Sequence, residues 1–227
     1  MMIILNIETA ATTCSIAVSE NGKVVFEEIS ADENSHSSKL GVFIESALQH
    51  LENKVDAVAV SSGPGSYTGL RIGISMAKGL CYGWRVPLIS VPTLKILASK
   101  AIRLTKDAHY LYCPMMDARR MEVYSALYDS ELNVVSDTKA EIIAEESYAE
   151  ILAEQKICFF GNGAEKCRSV IKSSNALFIN EIFPFAADMC VLSEKKFLER
   201  QFEDVAYFEP FYLKDFIAKI SKNKVIN

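Results

Sequence analysis

A short apolar strand runs straight into a glycine-rich loop and then into a long helix. Residues 55–60 read VDAVAV, and residues 61–80 read SSGPGSYTGLRIGISMAKGL. The apolar run AVAV at 57–60, set between Asp56 and the serines of the loop, reads as a buried strand. At about 100° per residue, Arg71, Ser75, Lys78, Tyr82 and Arg85 fall on one narrow polar strip of the following helix. Leu70, Ile72, Gly73, Ile74, Met76, Ala77, Gly79, Leu80 and Cys81 fill the rest. A helix on the outside of a sheet needs one apolar face. This one is apolar or small nearly all round, so it is expected to be covered on two sides. The chain is thereby confined to an α/β architecture.

The flanking segments extend the pattern. Residues 2–7 form an apolar strand, and 14–19 and 24–30 flank Asn21-Gly22, a strong hairpin signal. Residues 35–53 carry Leu40, Phe43, Ile44, Ala47, Leu48 and Leu51 at helical spacing. A strand at 86–90 and a helix at 92–104, with proline in its first turn, complete a βββαβαβα order. The theme repeats less clearly beyond residue 105. Strands are expected at 110–113, 121–128, 133–138 and 157–160, and helices at 145–154, 164–172 and 185–200. The expectation is two closely packed α/β subdomains, 1–104 and 105–227. The tail, with Lys214, Lys219, Lys222 and Lys224, reads as a solvated basic segment.

Composition excludes several classes. The net charge of −5 argues against a chain that grips nucleic acid by itself. No apolar run reaches the ~20 residues of a membrane span, and the opening MMIILNIETA lacks the basic region of a signal peptide. The cysteines at 14, 81, 113, 158, 167 and 190 form no CxxC pair and read as reduced thiols of a cytoplasmic protein.

The loop itself is ambiguous. It lacks the lysine of GxxxxGK[ST] and fits GxGxxG poorly. Either it is a tight strand-to-helix turn, or Gly65, Ser66, Thr68 and Gly69 contact an anion at the helix N-terminus. Spacing favours the turn. Small residues at Gly69, Gly73 and Ala77 recur every fourth position and form a ridge that another helix can approach, either the 35–53 helix or a partner chain.

The segments ILNIETAATTCSIAV, HSSKL, GPGSYTGLRIGISMAKGL, DARRMEVY, GNGA and EPFYLK together resemble the TsaB (YeaZ) family, from residue 3 to about 214. The resemblance implies the acetate/sugar kinase, heat-shock protein and actin fold, with mixed sheets flanked by helices. It implies a scaffold subunit, without catalytic residues, for making N6-threonylcarbamoyladenosine at position 37 of tRNAs that read codons starting with A. It further implies binding to a TsaD homologue, with a TsaE ATPase homologue completing the assembly, and a homodimer when the partner is absent. tRNA is then met through the complex. Both kinds of contact are expected on the two helices of the first half, at Leu40, Phe43, Ile44, Ala47, Gly69, Ile72, Gly73, Met76, Ala77 and Leu80. No cofactor is expected for this chain alone; a nucleotide, ATP or ADP, is expected only at the joint interface. Where most members carry Asp after the first strand, this chain has Glu8.

A catalytic centre is hard to assemble. The partner family's metal-binding histidines fall here on Thr93 and Leu97, which cannot replace imidazole. The histidines are His36, His50 and His109; the first two stand at opposite ends of one helix, about 21 Å apart at 1.5 Å per residue. No GxSxG is present. Asp117-Ala118-Arg119-Arg120 is either a strand-end ion pair with surface charges or an anion or tRNA contact. The alternative to a scaffold is an ATP-hydrolysing or peptidase-like enzyme of the same fold.

Overall fold

The structure is a computed structural model and describes residues 1–31, 36–51 and 55–213. The ends of the expected 35–53 helix and the tail lysines lie outside these residues. The first half contains β1 (Ile3–Glu8), β2 (Cys14–Glu20), β3 (Lys23–Ser30), α1 (His36–Gln49), β4 (Ala57–Ser61), α2 (Tyr67–Trp84), β5 (Leu88–Val91) and α3 (Thr93–Thr105). The second contains β6 (Tyr110–Asp117), β7 (Glu122–Tyr128), β8 (Val134–Ile142), α4 (Ala149–Glu154), β9 (Lys156–Phe160), α5 (Ala164–Cys167) and β10 (Ala176–Ile179). A 3₁₀ turn at Ala186–Met189 leads into α6 (Cys190–Leu198).

The halves repeat one plan. The first sheet has the order β3-β2-β1-β4-β5, the second β10-β9-β6-β7-β8. In each, a three-strand antiparallel meander is extended by two parallel strands. β1 and β6 are therefore equivalent, and so are the loops that follow β4 and β9. Central strands are buried on both faces, which explains the apolar runs of β4 and β9; β1 breaks its run with the buried Asn6.

Each half ends in a helix that serves the other half. α3 places Leu94, Leu97, Ala98 and Ala101 against Tyr112, Met116, Cys158 and Phe160 of the second sheet. α6 and the preceding turn return to the first sheet, with Met189, Leu192 and Phe197 against Ile4, Ala57, Ala59 and Ile89. Residues 203–211 continue along that subdomain: Glu203 pairs with Leu88, and the Phe211 amide donates to Ser62 O at 2.8 Å. The expected second subdomain of 105–227 is thus divided, because only part of it builds the second sheet. Asp188 ties the exchange together, bonded to Arg103 at 2.5 Å and to Lys100 at 3.2 Å.

Three expected helices are corrected. The 164–172 helix closes after one turn at Cys167, the 145–154 helix starts at Ala149, and the 185–200 helix opens as a 3₁₀ turn and is α-helical only over Cys190–Leu198; β10 lies outside the expected strands.

Candidate functional site

The loop after β4 is built against the turn that follows β1. The Ser66 amide donates to Ala10 O at 2.7 Å, and Ser66 caps α2 by accepting the Gly69 amide at 3.2 Å. Thr9 Oγ1 donates to Gly69 O at 2.8 Å. A Cβ at Gly65 or Gly69 would overlap backbone oxygens of Ala10 and Thr9. Gly63, at φ 103, supplies a conformation closed to most side chains. The tight-turn reading accounts for these bonds: two of the amides that an anion would need, at Ser66 and Gly69, are already engaged within the chain. Thr68 is exposed, and Gly65 is half-buried.

Glu8 sits in this structure rather than beside it. It is fully buried at the end of β1, and the Ala10 amide donates to its Oε1 at 2.6 Å. Its Oε2 has no hydrogen-bond partner among the described residues, nor have the hydroxyls of Ser61 and Thr93. Burial outweighs the Ala10 bond and pushes the carboxyl up to about 7. The histidine-equivalent positions Thr93 and Leu97 are buried as well. The six cysteines are buried, and burial pushes the thiols of Cys14 and Cys81 up to about 11 and those of Cys158 and Cys190 up to about 12. Among the described residues, no three His, Cys, Asp or Glu side chains gather around one point.

The ten residues expected at a partner interface separate by burial. Leu40, Ile44, Ala47, Gly69, Gly73 and Ala77 belong to the chain's own interior. The small-residue ridge therefore faces Thr9 and the first sheet, not a partner. Helical spacing groups residues onto a face but does not say which face meets the sheet, and α2 offers small or apolar residues on both. The other four, Phe43, Ile72, Met76 and Leu80, are half-buried where α1 and α2 meet. Beside them Val42 and Leu48 of α1 and Ser75, Gly79, Tyr82 and Gly83 of α2 are exposed, Tyr82 at 84%.

The second cover of α2 is intramolecular. α1 lies on one side. On the other, the 203–212 segment packs Val205 and Phe208 onto the core and takes hydrogen bonds from the expected polar strip. Lys78 Nζ donates to Ala206 O at 3.1 Å and Phe208 O at 3.0 Å, and Arg71 Nε donates to Tyr212 Oη at 3.2 Å. Sequence reading missed this strap, since an irregular segment with a turn at 205–207, held by backbone oxygens, has no periodicity. A hollow of about 510 Å³ lined by Cys81, Tyr82, Gly83, Arg85 and Val205 lies at the end of α2.

In the second half, Asp117 ends β6 as Glu8 ends β1, but it is exposed. It pairs with Lys166 and accepts the Arg119 amide at 3.2 Å, and its own amide donates to Asn162 Oδ1 at 3.0 Å. Arg119 and Arg120 both have left-handed backbones, at φ 73 and 50, a conformation costing about 1–2 kcal/mol per residue with a Cβ.

A sequence model of the family described as "TsaD: tRNA N6-adenosine threonylcarbamoyltransferase" matches residues 23–222. The "tRNA threonylcarbamoyladenosine biosynthesis protein TsaB" of Escherichia coli is 30% identical, with 96% of each chain covered. The protein of the same description from Haemophilus influenzae is 26% identical over 93% of each. Among solved structures, the fold is shared with "YeaZ from Pseudomonas aeruginosa", at 24% identity and a TM-score of 0.78 over 94% of this chain and all of the other. A second Pseudomonas aeruginosa structure, "an uncharacterized protein with similarity to peptidase YEAZ", superposes at a TM-score of 0.82 and 23% identity, with the same coverage. The sugar-kinase relative "Inorganic Polyphosphate/ATP-Glucomannokinase" reaches 0.51 at 9% identity, a likeness of fold alone. With a threonylcarbamoyltransferase model spanning most of its length and a TsaB relative aligned from end to end, the chain belongs to the TsaB family.

Proposed function

We propose that this chain is a non-catalytic subunit of the machinery that makes N6-threonylcarbamoyladenosine in tRNA. Its relatives carry that pathway in their names. On this reading it binds a TsaD homologue through the surface where α1 and α2 meet, and a TsaE homologue completes the assembly. Alone, the same surface pairs two copies of the chain. Any ATP or ADP is held at the joint interface, and the tRNA is met through the complex.

The single observation that carries the reading is the α1–α2 surface. Phe43, Ile72, Met76 and Leu80 are only half covered by their own chain, and the exposed Gly79 and Gly83 continue the same surface. Apolar side chains left half covered beside a flat, glycine-lined helix face suit a partner helix. The buried Glu8, the buried thiols and the internally bonded glycine loop offer a substrate no reactive group, which weighs against an ATP-hydrolysing or peptidase-like enzyme. No described helix is long and apolar enough to cross a membrane.

The test is reconstitution. The purified chain, its TsaD and TsaE homologues, threonine, bicarbonate, ATP and an unmodified tRNA transcript are combined, and the modified nucleoside is quantified. Full activity without this chain would refute the proposal.

A further inference from the structure

The turn between β6 and β7 is made of residues that its backbone does not favour. Arg119 and Arg120 are consecutive left-handed residues. The chain meets the same demand at the β2–β3 turn with Asn21 and Gly22, at φ 47 and 73, the residue types that adopt it with least strain. Closing a hairpin therefore does not call for arginine. The turn is also braced: the Ala118 amide donates to Glu122 O and the Glu122 amide to Arg119 O, each at 3.1 Å. Lys166 pairs with Asp117, the carboxylate that accepts the Arg119 amide. Both arginines are exposed, and neither guanidinium has a carboxylate partner among the described residues. The turn lies at the carboxyl ends of the parallel strands β6 and β9, the edge of an α/β sheet where ligands bind.

We propose that Arg119 and Arg120 form a rigid fork that holds backbone phosphates of the tRNA during modification. The proposal deepens the function given above and rests on it. Guanidinium groups match phosphate oxygens in pairs, and the braced turn fixes the two backbone positions from which they reach. An exposed hairpin tip has no walls to enclose a base and ribose, whereas an RNA strand needs only cations along its path. In a chain of net charge −5, such a local site adds binding to a complex without making this chain an RNA-binding protein alone.

The test uses the reconstituted complex with the TsaD and TsaE homologues and a fluorescent unmodified tRNA transcript. The Arg119→Asn/Arg120→Gly variant keeps the left-handed turn and removes both charges. It is expected to join the complex as the native chain does, to bind the transcript at least tenfold more weakly at ~0.15 M salt, and to flatten the log–log salt slope by about 1.5. Arg119→Lys/Arg120→Lys is expected to keep the slope and lose only part of the affinity. Should the first variant misfold, Arg119→Gln/Arg120→Gln replaces it in the same comparison. Unchanged affinity and slope in an intact complex overturn the proposal. So does a variant that loses ATP or pyrophosphate binding while keeping the transcript, which would make the turn a site for free nucleotide phosphate. If the native chain fails to enter the complex, the scaffold reading fails instead. The fork is then judged by titrating the transcript with the native and variant chains alone at low salt, where the weak phosphate binding of two arginines is still measurable and equal binding removes it.

Discussion

Gly73 of α2 has no room for a side chain, because Thr9 Oγ1 occupies the space its Cβ would take. The same hydroxyl donates to Gly69 O, so one threonine after β1 fixes the approach of the helix. Gly73→Ala is expected to destabilise the fold by about 1–3 kcal/mol, as overpacking does. Gly79→Ala, in the same helix but facing open space, should be neutral or stabilising by up to about 1 kcal/mol. Denaturant unfolding of the two variants checks this; equal effects would contradict the packing.

If α2 carries the proposed interface, substitutions on it separate assembly from folding. Ala77 is fully buried, and Ala77→Arg should leave little soluble folded protein, since an unpaired charge would enter the core. Half-buried Met76 tolerates Met76→Glu: the chain stays folded by circular dichroism but no longer co-elutes with the TsaD homologue. A Met76→Glu chain that pairs normally would move the interface elsewhere.

Glu8 links stability to pH. Its folded value, about 7, stands above the ordinary 4.5. The folded state therefore holds a proton that the unfolded state has released. The group's favourable contribution is complete below pH ~4.5 and is lost as pH rises through 7, about 3 kcal/mol in all by linkage. Glu8→Gln keeps an acceptor for the Ala10 amide and should abolish this slope. Melting temperatures of both proteins between pH 5 and pH 8 decide; parallel curves would mean that the carboxylate is solvated in the fold.

The chain alone should hydrolyse ATP no faster than a blank. Turnover that survives repurification and disappears in Glu8→Ala would make the chain an enzyme after all.

Much of the fold could be read from the sequence because its signals are local. Asn21-Gly22 marks a hairpin by itself, and β4 announces its burial by having no polar face. What could not be read depends on distant partners. β10 is four residues that become a strand only by pairing with β9. The 164–172 helix ends early, with the Val170 and Ile171 amides both turned to Cys167 O. For the candidate surface, spacing grouped residues of α1 and α2 but did not say which of them the chain buries in its own interior. Which of Ala77 and Met76 faces outward is settled by Thr9 and the first sheet, and no periodicity within α2 carries that information.

The exchange of terminal helices also sets an order of events during synthesis. The strands of the first sheet are complete once β5 has been made, yet Ile4, Ala57, Ala59 and Ile89 wait for Met189 and α6. At roughly 5–20 residues per second, an apolar sheet face stays open on the ribosome for several seconds. During that time the nascent chain depends on chaperones or on its own transient contacts, and a ribosome that stalls before α6 releases a product with a half-covered sheet. The surface proposed to meet a partner rests on this subdomain, so most of it is encoded long before the opposite face of the sheet beneath it is closed.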